Sequence, residues 1–370
     1  MAKSCCLTFL LVAAACLGSA TPGRLGREIV KAELSDAMAC TDPLADRTAP
    51  DDRPNAYMIM IGPFTAKRAY KKWLYAALAL TSALASHGST ADVLVLMAQS
   101  GKGGAAVHAL PEEEALLSRN GVHWRYVSAP YGNSGFHMGH FKVWAWQHTE
   151  YARIQLLDAD LLPLVNMDRF FDFGEALDSD FVGCPGKLSV LNAGWFVLRP
   201  SCHHFEAMTQ ILKADGHAGW DKEVGWGHAL PRWVSSEGVV MKGGWDFFDA
   251  HGNQGHMYSY FLFEAKDLTL IYADGVRAYS NGSLAGEEQV LSLMAAHDPK
   301  AATDLRAQLY GAYPCPFPLK IKERAYIHFT GNLKPWTKHA PSNPQFKLWY
   351  DAVTRSGDVV LERDIFNDAQ

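Results

Sequence analysis

The sequence predicts an α/β fold: a parallel sheet with helices on both faces. Two observations carry this expectation. From residue 56 onward, apolar runs of strand length alternate with segments whose apolar residues recur at helical spacing. The chain has 370 residues, 48% hydrophobic and 20% charged, enough apolar material for a large core in one large or two modest domains.

The elements read in order as follows. Ala56–Ile61 is a buried-strand run that stops at Gly62-Pro63, and residues 67–86 have helical spacing. Ala91–Met97 is the next strand. Pro111–Asn120 is a helix ending at Gly121, a glycine placed to cap it. His123–Val127 is a third strand, His140–Tyr151 a helix, and Ile154–Leu157 a fourth strand. Phe170–Leu177 is helix-like. Asn192–Pro200 reads as a strand, followed by a helix from Ser201, its N-cap, to about Ala214. Residues 215–256 are rich in Gly, Trp and His, and a helical tail begins near Pro344 and is expected to cover an edge.

The fourth strand ends in Leu157-Asp158-Ala159-Asp160. Residues i and i+2 of an extended chain point to one side, so two carboxylates meet there. Their repulsion and desolvation are costly, and a divalent cation relieves both. In parallel α/β sheets ligands bind beyond the carboxyl ends of strands, where this pair lies. A metal held there could hold a diphosphate. A second pair with the same spacing, Asp178-Ser179-Asp180, precedes an apolar run and reads as a solvated turn.

Net charge is -5, from Lys+Arg 34 against Asp+Glu 39, with no basic block, so nucleic acid is not an expected partner. Lys3, the apolar Leu7–Leu17 and Gly18-Ser-Ala20 form a secretory signal-peptide pattern, with an uncleaved signal-anchor as the alternative. No later stretch is apolar for about 18 residues. A lumenal location (Golgi or ER) or an extracellular one is therefore expected. Cys5, Cys6 and Cys16 leave with the signal. Cys40, Cys184, Cys202 and Cys315 allow up to two disulfides, in any of three full pairings. Asn281-Gly-Ser283 is a glycosylation acceptor pattern. The expected domains are a signal peptide at 1–20, a polar linker or stalk at 21–55, a catalytic domain at 56–345 and a helical tail at 346–370.

Four segments read together: Lys142, Leu157-Asp-Ala-Asp160, Leu191-Asn-Ala-Gly-Trp-Phe-Val-Leu-Arg-Pro-Ser201, and His328-Phe-Thr-Gly-Asn-Leu-Lys-Pro-Trp336. In this order and spacing they resemble glycosyltransferase family 8, the glycogenin-like group, over roughly residues 56–340. The resemblance implies a single catalytic domain with the GT-A fold, the Rossmann-like fold of nucleotide-diphospho-sugar transferases. It also implies a Mn2+ cofactor, a UDP-sugar donor and retention of anomeric configuration. Asp158, Asp160 and His328 would bind the metal. Lys142, Asn192, Ala193, Gly194, Gly331 and Lys334 would bind the donor. An imidazole added to carboxylates favours Mn2+ over Mg2+, and Lys334 would meet the diphosphate as a point charge.

Two segments depart from the family pattern. Gly252-Asn253-Gln254-Gly255 stands where the family has Gly-Asp-Gln-Gly. Gln254 would face the reacting carbon, and Asn253 keeps hydrogen bonding but not charge, unless Asp246 or Asp249 supplies the acid. Ile61-Gly-Pro-Phe64 replaces a polar nucleotide loop. Asp158, Asn253 and Gln254 are the candidate catalytic residues, in a front-face transfer without a protein nucleophile. Trp220, Trp226, Trp233 and Trp245 are either an acceptor platform or core packing. The histidines His137, His140, His203, His204, His251 and His256 read as surface or core residues, not a second metal site. The acceptor expected is a glycan, glycolipid or polyol hydroxyl. The competing class is a catalytically idle nucleotide-sugar-binding protein, and any membrane association would run through an uncleaved signal-anchor.

Overall fold

The computed structural model describes residues 40, 51–64, 68–99, 107–128, 138–215, 220–272, 275–280, 283–285, 324–330, 334–336 and 344–356. The signal peptide, most of the linker, His137, Asn281, Cys315 and Gly331 lie outside the described residues. The chain divides into units of residues 1–35 and 36–370, and everything below concerns the second.

The strands are β1 (Ala56–Phe64), β2 (Asp92–Gln99), β3 (Val122–Val127), β4 (Ile154–Asp158), β5 (Leu161–Pro163), β6 (Phe181–Cys184), β7 (Asn192–Leu198), β8 (Trp233–Val234), β9 (Val240–Met241), β10 (Asp267–Tyr272), β11 (Gly275–Ser280), β12 (Ser283–Ala285) and β13 (Tyr326–His328). The helices are α1 (Lys71–Ser86), α2 (Pro111–Arg119), α3 (Arg169–Ala176), α4 (Cys202–Asp215), α5 (Asn253–Ser259) and α6 (Pro344–Arg355). A nine-stranded sheet runs β12-β11-β10-β6-β7-β4-β1-β2-β3. Strands β3, β2, β1 and β4 are parallel, and β7 lies antiparallel between β4 and β6. The predicted α/β class is thus observed.

Period-two alternation along the strands sorts side chains between two layers. Tyr57, Ile59 and Ile61 of β1 pack with α1, α2 and α3 on one face. Ala56, Met58 and the Leu94 and Leu96 of β2 pack with α4 and α5 on the other. The strands are covered on both faces, which is why they read as continuous apolar runs.

Three elements differ from the sequence reading. The helix expected over His140–Tyr151 is a 3-10 helix at Met138–Gln147. The carbonyl of Trp146 accepts the Ser201 N–H at 2.9 Å, and an α-helix through Tyr151 would need that carbonyl for its own ladder. The tail helix α6 covers a face, not an edge: Phe346, Trp349, Ala352 and Val353 join the core layer that contains α1. The pair Asp178/Asp180 is only half a solvated turn. Asp178 is exposed, but Asp180 is buried and meets Arg199 at 2.9 Å and His204 Nε2 at 3.1 Å. Arg199, at the end of β7, supplies a cation that the local pattern did not reveal.

The end of the segment read as a linker is tied to this body. Cys40 forms a disulfide with Cys202 at the start of α4. The expected strands at β1 and β2 are present, the helix expected over 67–86 runs from Lys71 to Ser86, Gly121 (φ 68) follows α2, and Ser201 accepts the His204 N–H at 3.5 Å.

Candidate metal and donor site

β4 delivers Asp158 at its carboxyl end, and a turn carries Asp160 into β5. β5 pairs antiparallel with β13, placing His328 opposite Leu161. The Phe329 N–H donates to the Asp160 carbonyl at 3.0 Å, which fastens the two segments beside the acids. His328 Nε2 lies 3.2 Å from Asp160 Oδ1 and 3.6 Å from Asp158 Oδ2. One ligand atom from each of Asp158, Asp160 and His328 lies within 4.8 Å of the others, and this is the one such cluster among the described residues. Of the histidines read as surface or core residues, His204 is engaged by Asp180 and Tyr260, while His140 and His256 are buried among aromatic rings.

Two lysines flank the cluster. Lys142 Nζ, buried, donates to Asp158 Oδ1 and to the Ala193 carbonyl, each at 2.6 Å. Lys334 Nζ pairs with Asp160 Oδ2 and donates to the Phe329 carbonyl at 2.6 Å. Burial opposes ionisation of Asp158, yet Lys142 and His328 hold its carboxyl far below the ordinary carboxylate range. Burial also pushes His328 down, but its hydrogen bonds to Asp158 and Asp160 win and raise the imidazole to about 9. A proton there does for the acid pair what a divalent cation would do.

The residues fit a metal. Two carboxylates and an imidazole converge with their ligand atoms close together. The supporting contacts orient them, as around known metal ligands. Gly194 makes the approach possible: a Cβ there would stand 2.2 Å from His328 Cε1 and 2.7 Å from its Nδ1. Asn192 Oδ1 accepts the Gly194 N–H at 2.9 Å, so the Asn192-Ala-Gly element, which opens β7, also cradles the histidine.

The structure therefore gathers Lys142, Asp158, Asp160, Asn192, Ala193, Gly194, His328 and Lys334. Asn253 and Gln254 open α5 and are tied to the neighbourhood differently. Asn253 packs on Gly139, in the 3-10 helix that carries Lys142; a Cβ at Gly139 would stand 2.5 Å from Asn253 Oδ1. Its buried Nδ2 has no hydrogen-bond partner among the described residues. Asp249 Oδ2 accepts the Gln254 N–H at 3.1 Å, so this acid holds the first turn of α5. Gly331 lies outside the described residues. Sequence reading missed the carbonyls of Ala193 and Phe329, because a backbone acceptor leaves no trace in residue identity.

No family profile matches the chain. A segment of 75 residues is 38% identical to human glycogenin-2, covering 20% of this chain and 14% of that protein. The chain is thus similar to a glycogenin over a short stretch, and the match spans far less than two thirds of that relative. Among solved structures, the glycosyltransferase GlyE of Streptococcus pneumoniae TIGR4 aligns over 86% of this chain and 64% of its own, with 12% identity and a TM-score of 0.44. The bifunctional WbbM aligns over 86% of this chain and 52% of its own, with 10% identity and a TM-score of 0.48. An active-site mutant of LgtC aligns over 82% of this chain and 97% of its own, with 10% identity and a TM-score of 0.42.

Proposed function

We propose that this chain is a retaining, Mn2+-dependent glycosyltransferase that moves a hexosyl or related group from a UDP-sugar to a glycan, glycolipid or polyol hydroxyl. One observation carries the reading: the convergence of Asp158, Asp160 and His328 between two lysines at the carboxyl end of a parallel sheet. The short identity with glycogenin-2 supports it.

In this reading Asp158, Asp160 and His328 hold Mn2+, which when bound would neutralise the diphosphate of the donor and its leaving group. Lys142 fixes the Asp158 carboxylate and the Ala193 carbonyl at the start of β7 in one arrangement. Lys334, with Gly331, receives the diphosphate and stabilises charge that grows as UDP departs. The Asn253 Nδ2, buried and without a hydrogen-bond partner among the described residues, is placed to donate to a sugar hydroxyl. Gln254 orients the reacting carbon. The acceptor hydroxyl attacks the face that UDP leaves, and a departing phosphate oxygen takes its proton. The Cys40–Cys202 disulfide supports a lumenal or extracellular location reached through the N-terminal signal. Sequencing the N-terminus of the secreted protein tests that part: a chain that starts at Met1 and stays in the cytosol refutes it.

Asn253, standing where the resemblance expects an acid, favours a second reading: a nucleotide-sugar-binding protein that does not turn over. A panel of UDP-glucose, UDP-galactose, UDP-glucuronate and UDP-xylose with Mn2+, followed by UDP release, separates the two. Release with any donor supports the transferase, and UDP binding without release supports the idle protein.

A further inference from the structure

We propose that the β8–β9 hairpin and the two loops beside it form a docking surface for an anionic lipid bilayer. The inference concerns attachment, and it stands whether or not the chain turns over a nucleotide sugar.

Six large apolar side chains are strongly exposed among the described residues: Leu188, Val224, Val239, Val240, Phe248 and Leu348. Four of them come from three segments that are fastened to one another. Residues 186–189 form a turn, closed by the Gly186 N–H donating to the Ser189 carbonyl at 2.9 Å, and Leu188 lies on it. The Gly186 carbonyl accepts the Ser236 N–H of the hairpin turn at 3.0 Å, and the Lys187 ammonium meets Glu237 at 2.9 Å. The Leu188 carbonyl accepts the Phe248 N–H at 2.9 Å. The Val239 carbonyl accepts the Ser235 N–H at 2.9 Å, which closes the hairpin tip. Leu188, Val239, Val240 and Phe248 are thus neighbours, exposed by 61%, 52%, 65% and 71%.

The hairpin is held from beneath. β8 and β9 pair Trp233 with Met241 and Val234 with Val240. Alternation sends those two pairs to opposite faces. Trp233 is buried and packs on Phe247 with centroids 5.8 Å apart, so Val240 faces out. Trp226 and Trp245 are buried as well, so these three tryptophans are core packing and not a platform. Two residues behind Val234 and Val240 stand Arg232 and Lys242, both exposed. An extended chain advances ~3.3 Å per residue, which sets this basic pair about 7 Å behind Val240 and about 10 Å behind Val239.

That spacing selects the occupant. Segments lying in a bilayer interface bury their apolar groups about 5–10 Å deep, so cations set back by that distance meet the lipid phosphates. Lys187 adds a third cation, and it engages Glu237, the one acid of the hairpin. Asp246 and Asp249 flank Phe248, but Asp249 is turned to α5, where it accepts the Gln254 N–H. A second protein fits less well. A stable interface takes about 20–30 residues a side, and four side chains carried on turns fall short of that.

The test is flotation of the full-length protein with vesicles of phosphatidylcholine alone or with roughly a third phosphatidylserine, at about 0.1 M salt. The N-terminal apolar segment can bind lipid by itself, so every comparison is between chains that share it. Val239→Ser, Val240→Ser and Phe248→Ser combined should weaken binding to the serine vesicles at least about tenfold, through lost apolar area. A Lys or Arg near an anionic surface adds about fivefold. Arg232→Gln with Lys242→Gln should therefore weaken binding to serine vesicles by about 25-fold and leave phosphatidylcholine binding as it was. Leu348→Ser, on α6, should change nothing. Circular dichroism checks that each variant is folded, and the Arg232/Lys242 variant decides alone if the triple one is not. Parent and folded variants floating alike, Leu348→Ser acting as strongly as the triple change, or no binding to either vesicle overturns the inference. So does a parent that sediments as a dimer which the triple variant abolishes while flotation stays the same, because the patch then belongs to a second copy of the chain.

Discussion

Asp160 and Gly194 act on the metal cluster in different ways. Asp160 contributes a ligand atom, so Asp160→Ala should abolish Mn2+-dependent UDP release while circular dichroism stays unchanged; retained release would refute the cluster. Gly194 contributes absence: Gly194→Ala should push His328 away and weaken Mn2+ binding by about 10–100-fold, the usual cost of disturbing what orients a ligand, measured by titration calorimetry. His256 predicts a pH effect on stability. Desolvation, with repulsion from His140, holds its imidazole well below the usual value. Above about pH 6.5 both folded and unfolded states leave this ring neutral. Below that, the unfolded chain takes a proton that the folded one refuses, so stability should fall by up to ~1.4 kcal/mol per pH unit until the lowered folded value is reached. His148, buried and also lowered, adds the same sign. The raised His328 has the opposite sign but acts mainly above about pH 6.5, so the urea midpoint should drop between about pH 6.5 and 5.5, and His256→Leu should flatten that drop. At this scale the acid pair, Lys142, His328 and Lys334 were legible, because carboxylate, imidazole and ammonium chemistry is written in residue type. The role of Asp249 was not: an acid near a site and an acid that takes a helix N–H look alike in sequence.

Strands β1 to β4 were legible because burial on both faces leaves unbroken apolar runs. The 3-10 helix was not, since one of its last carbonyls, that of Trp146, is claimed by Ser201, distant in sequence. The pairing of β5 with β13 was equally hidden: each strand has three residues, too few for a periodic signal. Helix α6 bears on the site through packing. Trp349, 1% exposed, stacks obliquely on Trp336 with centroids 5.7 Å apart, and Phe346 meets Phe329 at 5.5 Å. Phe329 and Trp336 bracket Lys334. Trp349→Ala should therefore cost about 3–5 kcal/mol, as large aromatic deletions do, and should raise the KM for the donor more than a surface change on the same helix such as Lys347→Ala. Chemical denaturation and donor titration check the two effects.

For the molecule as a whole, the α/β class followed from alternation and composition, but the way the chain's ends are secured did not. Four cysteines left three full pairings, and only the fold brings Cys40 against Cys202. That bond spans a sequence separation of 162, and a cross-link closing so long a loop removes much unfolded-chain entropy. Cys40→Ser should lower stability by about 2–5 kcal/mol, read as a shift in denaturant midpoint that added reductant reproduces in the parent protein. The pairing of β5 with β13 has another consequence. The parallel strands lie in the first half of the chain, whereas the imidazole and the second lysine arrive near its end. During synthesis, a growing polypeptide could collapse its sheet early and still be inert toward any nucleotide. Competence would switch on only once residues 328–334 have left the ribosome.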